Sequence, residues 1–456
     1  MAEPPPQPAG AAPEGPDPDE LMRSRAFIGL LVIAAIVGVA AALVAFGFLE
    51  AIAELQDGLY DSLPDALGFE STPAWWPLPV LLVASLIVAW AIDRLPGPGG
   101  HIPANGLSAD PTQPIDLPGV FVAALGGIGF GIVLGPEAPL IALGGGIGFI
   151  IVRRLARDAP EAAGTLMATS GVFSAISFLF GSPVIAAVLL MEVAGLDRKR
   201  MPMVLIPGLL AAGIGSLVST GMGQWTGVDS SNISIDALQL EAFARHSFID
   251  FVWTVPLAAL VAVGVHLIFI LGKRVEPPAT RRPFVVLPLV GLATAVLAIA
   301  FHLITDHGFD EVLFSGQDQL SPFVSRSAEW SVGAVLLLLA AKGLAYGLAL
   351  GSFRGGPVFP GLFLGAAAGV LAAKLPGFDL TPAVAVGMAA ATVAVLRLPL
   401  SSIVLAGVLT STAGLGDGAL IILGVAVSFL VVTMLSPREP EDQPAAPAQP
   451  PSPAPS

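Results

Sequence analysis

One segment of this chain occurs twice. Gly135-Pro136-Glu137-Ala138-Pro139-Leu140-Ile141-Ala142-Leu143-Gly144-Gly145-Gly146-Ile147-Gly148 aligns with Gly356-Pro357-Val358-Phe359-Pro360-Gly361-Leu362-Phe363-Leu364-Gly365-Ala366-Ala367-Ala368-Gly369 at an offset of 221, with Gly, Pro, Pro, Gly and Gly in register. A second pair agrees: Gly171 and Pro183 correspond to Gly387 and Pro399 at an offset of 216. Two matches at nearly one offset indicate two homologous halves, which restricts the chain to folds built as an internal repeat. In membrane transporters such halves meet at a midplane site made from the N-termini of broken helices.

Composition decides the solvent. Of 456 residues, 55% are hydrophobic and 12% charged, with mean hydropathy +0.83, which excludes a soluble core of ordinary composition. The chain reads as an all-α polytopic membrane protein in a lipid bilayer. The net charge of −14 is a weak guide to partners, because eight of the 34 acids lie in the two tails. No basic stripe suggests a nucleic acid. With no cysteine, disulfides, thiolate metal sites and a cysteine nucleophile are excluded.

Residues 1–22 and 437–456 are proline-rich and acidic and read as disordered tails, the first without the basic start of a signal peptide. Between them lies a membrane domain, 23–436, with halves at about 23–219 and 250–436. Apolar helices are expected over roughly Ala26–Phe48 and Trp76–Ile92, then over Phe251–Leu271, Phe284–Leu303 and Ser331–Leu350. Val120–Leu134, Glu137–Val152, Thr165–Phe180 and Pro183–Val193 fall below the ~20 residues that span a bilayer. They read as broken, tilted helices buried against protein. Arg94–Pro118 is too polar for a lipid-exposed helix and lines a cavity or the interface. Basic loops at Arg153–Arg157, Arg198–Arg200 and Lys273–Arg282 predict which face is cytoplasmic, and place both termini there.

Glu137 is the one carboxylate in the first repeat motif. Proline is favoured where a helix begins, so Pro136 predicts a helix start at this point. The free N–H groups and positive dipole end of that helix make an anion site, where a carboxylate is either the resident anion or its competitor. An ionisable group in so apolar a segment is a functional candidate, against the plainer reading of a structural cap.

Taken together the motifs resemble the CLC chloride channels and chloride/proton antiporters, in the form that lacks a regulatory C-terminal domain. That family binds anions at three helix ends of the type GSGIP, G(K/R)EGP and GxFxP. Here these are Gly99-Gly100-His101-Ile102-Pro103, Gly135-Pro136-Glu137-Ala138-Pro139 and Gly356-Pro357-Val358-Phe359-Pro360. A segment like the family's NAPLxGxxFxIE runs from Gly181 to Glu192. The resemblance implies an inverted repeat, a homodimer with one pore per subunit, and transport of chloride or similar small anions without cofactor or metal. It implies Glu137 as gate and Gly100, His101, Ile102, Pro136, Ala138, Val358 and Phe359 as anion-binding positions.

The departures from the pattern matter as well. Gly100 stands where the family has a coordinating serine, and Pro357 where a backbone N–H would face the anion. The family's pore tyrosine has no match, since Tyr60 and Tyr346 both lie far from the C-terminus. A weak central site is expected, which Gly100→Ser should tighten. Glu192 reads as a packing residue or a proton relay. The next position, a glutamate in the family's antiporters, is Val193, which favours uncoupled conduction over proton-coupled exchange. Arg354 is a source of anion potential or a snorkelling arginine, and Lys342 reads as a snorkelling end residue. His302, Asp306 and His307 are loosely spaced like metal ligands but read as an outer loop. Two other classes compete. Gly414-Leu415-Gly416-Asp417 with Tyr60-Asp61 resembles the GxGD and YD motifs of intramembrane aspartyl proteases, which would make the chain an enzyme, and a transport-dead scaffold could retain the same fold.

Overall fold

A computed structural model describes residues 22–436 except 109–111, 158, 195–200, 227–236, 244–245 and 415. The tails read as disordered and the basic run Arg198–Arg200 lie outside the described residues. Regular structure among those described is helical, apart from a single antiparallel β-bridge. The first half contains α1 (Arg25–Asp57), α2 (Leu63–Ala66), α3 (Pro77–Arg94), α4 (Leu117–Ile128), α5 (Glu137–Leu155), α6 (Glu161–Leu179), α7 (Pro183–Ala194) and α8 (Met201–Thr226). The second contains α9 (Phe248–Arg281), α10 (Pro283–Thr305), α11 (Gln317–Ser325), α12 (Val332–Ser352), α13 (Val358–Ala372), α14 (Leu380–Leu396), α15 (Pro399–Leu409) and α16 (Gly418–Leu435). Nine helical spans among the described residues are long and apolar enough to cross a bilayer, while α4, α7, α13, α14 and α15 are shorter.

The repeat is visible in the packing. A Cβ on Gly144 of α5 would lie 2.5 Å from the Gly171 carbonyl oxygen of α6, and one on Gly365 of α13 would collide in the same way with the Gly387 carbonyl of α14. These are the glycines paired by the two offsets. They let each helix pair approach backbone to backbone, as small residues do where lipid offers no hydrophobic driving force. Buried hydroxyls then bond to neighbouring backbones: Ser174 Oγ donates to the Gly38 carbonyl at 2.6 Å and Ser428 Oγ to Ala390 at 2.7 Å.

Three helix limits differ from the expected ones. α1 continues through a π-turn, Gly58–Ser62, into α2, because the buried Tyr60 reaches across to donate to the Phe130 carbonyl at 2.9 Å. α4 stops at Ile128, since the chain at Gly131 turns to φ +104° beneath that tyrosine, a conformation that suits glycine. α9 runs on through Pro277 and Pro278 to Arg281, so Lys273 and Arg274 belong to a helix rather than a loop. Contacts with the Pro103–Asn105 turn hold this extension: Asn105 donates to Glu276 at 3.1 Å and accepts from Lys273.

Candidate functional site

The two repeat motifs meet directly. Gly135 N–H donates to the Gly356 carbonyl at 2.7 Å and Gly356 N–H to the Gly135 carbonyl at 2.5 Å, so equivalent residues of the two halves form the one bridge in the described structure. The adjoining helices, α5 and α13, each start two residues further on, at Glu137 and Val358. Pro136 is thus the N-cap of its helix, one residue earlier than a proline usually sits.

Glu137, 1% exposed, turns its carboxylate to the opposite half. Its Oε1 accepts the Phe359 N–H of α13 at 2.7 Å, 222 residues away, while Oε2 is buried with no hydrogen-bond partner. The carboxylate therefore sits at the N-terminus of the opposite repeat's helix, where an anion would be held. Both bridge glycines make room for it: a Cβ on Gly135 or Gly356 would overlap the carboxyl group. The Phe359 ring stacks at a tilt on Phe180, 5.5 Å between centroids. Tyr346 Oη donates to the Pro357 carbonyl at 2.6 Å and fixes the capping turn. Sequence reasoning set this tyrosine aside because it is far from the C-terminus. Nothing local marks it, since its role depends on how α12 folds back along α13.

Two cavities reach the segment around Glu137. One, of about 320 Å³, is lined by Gly99, Gly100, His101, Gln113, Ala138 and Arg354 among others. The other, of about 30 Å³, is lined by Pro136, Ser315, Gln317 and Asp318. Positions 136 and 138 on either side of Glu137 thus face different cavities. Of the expected anion-binding positions, Gly100, His101 and Ala138 share the larger cavity, while Val358 and Phe359 are buried at the bridge. Ile102, half-buried, begins the Pro103–Asn105 turn and does not line the cavity. The His101 ring nitrogen Nε2 is already paired with the Gly106 carbonyl at 2.8 Å. Gly100 has φ +100° and ψ −165°, a region that side chains rarely adopt, and a Cβ there would meet Val120 at 3.1 Å. Gly100→Ser would therefore strain the loop rather than simply restore a hydroxyl.

Two cations occupy different places from those read in the sequence. Lys342 is fully buried, not snorkelling. Its ammonium donates to the carbonyls of Glu311 and Leu313 at 3.0 and 2.8 Å, with Val312 and Phe314 at 3.4 and 3.3 Å, over the Phe363 ring at 4.6 Å. A whole loop thus supplies the pairing that a buried charge requires. Arg354, 5% exposed, is not lipid-facing: Nε donates to the Pro98 carbonyl at 3.1 Å and Nη1 to Phe353 and Ser352 at 3.2 and 3.4 Å.

The remaining candidates are engaged elsewhere. Glu192 accepts from Leu400 N–H at 3.0 Å, Ser401 N–H at 2.8 Å and Ser401 Oγ at 2.7 Å, and so caps α15. Asp417 is buried and accepts from Thr410 Oγ1 at 2.7 Å, whereas Asp61 is exposed, which gives no support to an aspartyl dyad. His302 pairs with the His307 carbonyl and His307 stacks on Trp330. No metal-like cluster occurs among the described residues.

Two homologous halves, short helices whose starts meet at one bridge and a carboxylate on the opposite helix N-terminus define a membrane transporter with a broken-helix ion site. The chain belongs to the voltage gated chloride channel family, whose profile matches residues 104–433, a family of membrane anion transporters. Proteins named ion-transport protein YfeO are 27% identical over 354 residues in Salmonella schwarzengrund, covering 76% of this chain and 81% of the relative. The form in Escherichia coli O1:K1 / APEC is 28% identical over 355 residues, covering 76% and 80%. Two solved structures share the fold at 18% identity. A slow cyanobacterial Cl−/H+ antiporter gives a TM-score of 0.68 over 89% of this chain and 94% of its own, and a CLC-type fluoride/proton antiporter 0.65 over 89% and 96%.

Proposed function

We propose that the protein carries small inorganic anions, chloride by default, across the membrane along a path gated by Glu137, one path in each subunit of a homodimer. The reading rests on one observation, the Glu137 carboxylate held by the Phe359 N–H of the opposite half. Ionised, it fills the place of an anion and closes the path. A proton or a competing anion releases it, and the Val358, Phe359 and Ala138 backbone then faces the passing ion. Helix ends attract an anion without a full countercharge, which keeps binding weak enough for release. Both termini lie on the cytoplasmic side in this reading, and no metal or cofactor takes part.

Conduction is uncoupled in the favoured form, because Val193 cannot carry a proton and the Glu192 carboxylate is taken up accepting from three donors of α15. Proton-coupled exchange is the second form. It is supported by the two structural neighbours, which are both described as antiporters. Glu137→Gln tests the gate in liposomes. Anion flux should persist in the variant and lose its pH dependence, while wild-type flux rises in acid. Wild-type flux that stays flat between about pH 4 and 8, the range in which a carboxylate titrates, would remove Glu137 from the gate.

A further inference from the structure

Arg354 has a bonding pattern that its structural role leaves incomplete. Of its five N–H groups, the one on Nε and the two on Nη1 face the carbonyls of Pro98, Phe353 and Ser352. Nη2 has no hydrogen-bond partner among the described residues, although the side chain is nineteen-twentieths buried. The guanidinium lines the 320 Å³ cavity that begins one residue from the gate, beside Gly100, whose position offers no hydroxyl. A guanidinium does not discharge by losing its proton, so the cavity keeps a positive wall with two unused donors.

We propose that Arg354 is a direct anion ligand in this cavity, supplied by the second half's loop beside Gly100 of the first half. The proposal rests on the transport reading above and names a station of the same path. Its ligand class follows from the space. At ~30 Å³ per water, about ten waters fill such a volume, so an anion held there keeps much of its hydration shell. Nη2 alone cannot grip a planar group with two nitrogens, as a bidentate arginine does. The site therefore takes monovalent inorganic anions, chloride, bromide or nitrate, and selects by charge rather than by size or shape. The Nε bond to Pro98, across 256 residues, also places the Gly99–Gly100 backbone around the same ion. Asp116 also lines the cavity, so its negative charge borders the same space and gives a second handle on an anion held there.

The test is chloride flux into liposomes as a function of chloride concentration, for the wild type and three variants. Arg354→Met should raise the half-saturating concentration roughly tenfold or more, since a hydrogen bond to a charged group is lost, and Arg354→Lys should restore most of it. Asp116→Asn, half-exposed and nearly isosteric, should lower it. A bracing role alone predicts that Lys, which cannot hold three carbonyls in a fork, fails as badly as Met. A folded Met variant with wild-type half-saturation overturns the proposal. Should that variant not fold, an unchanged half-saturation in Asp116→Asn overturns it. A wild type that moves no anion is a different result: it removes the transport reading, and this inference falls with it.

Discussion

At the scale of single residues, the charges that looked peripheral in the sequence organise the loop 311–314 and the Pro98 turn. Lys342 holds four consecutive carbonyls, and the side chain of Glu311, whose own carbonyl is one of them, is half-buried with its Oε2 enclosed and unpaired. Burial pushes the Glu311 carboxyl up to about 7, Asp310 adds to the rise, and Lys342 opposes it. With the folded value above the unfolded one, the native state holds the extra proton between about pH 4.5 and 7, and stability falls as pH rises through that window. Thermal unfolding in detergent should show a midpoint that declines over this range in the wild type and a flatter profile in Glu311→Gln. Identical profiles would mean that the carboxyl is not buried as described. Glu137 was legible in the sequence because the glycine–proline frame around it is local. Its partner, Phe359 N–H, is 222 residues away and carries no side-chain signature.

At the scale of elements, helix starts and the short helices were legible, and some ends were not. Glu137, Pro183 and Pro399 begin helices where proline and the apolar pattern place them. α9 passed its expected end because Lys273 and Glu276 bond to Asn105, and no propensity of Pro277 or Pro278 encodes that contact. The cap of α15 is likewise non-local: Glu192, near the end of α7, satisfies the first N–H groups of the helix that is α7's own repeat equivalent. Glu192→Ala should cost about 1–2 kcal/mol, as the loss of a charged N-cap does, read as a lower unfolding midpoint. If the carboxylate serves as a relay instead, Glu192→Gln will change proton movement while the midpoint stays put.

At the scale of the whole molecule, the repeat was legible from five aligned residues while its inversion came only with the family resemblance, and its two equivalent helix ends are used unequally. The halves are symmetric in backbone but not in charge: Glu137 in the first corresponds to Val358 in the second, and Arg354 to Val133. The Glu137 carboxylate thus has no acidic counterpart in the second half, and Arg354 no basic counterpart in the first. A single buried carboxylate can open and close a path, but coupling proton to anion needs a second proton carrier leading to the other side of the membrane. Val193 is apolar, and Glu192 is tied to three donors of α15. These two residues are why uncoupled conduction is proposed, and the kinship in fold with two antiporters is why exchange is tested against it. The decisive measurement sets a chloride gradient across liposomes of purified protein with the voltage clamped at zero and follows internal pH. Chloride should run down its gradient with no net proton movement. Uphill proton movement at a fixed chloride-to-proton ratio would make the protein an exchanger. Loss of that movement in Glu137→Gln, with chloride flux retained, would then show that the gate carboxylate is itself the proton's last station.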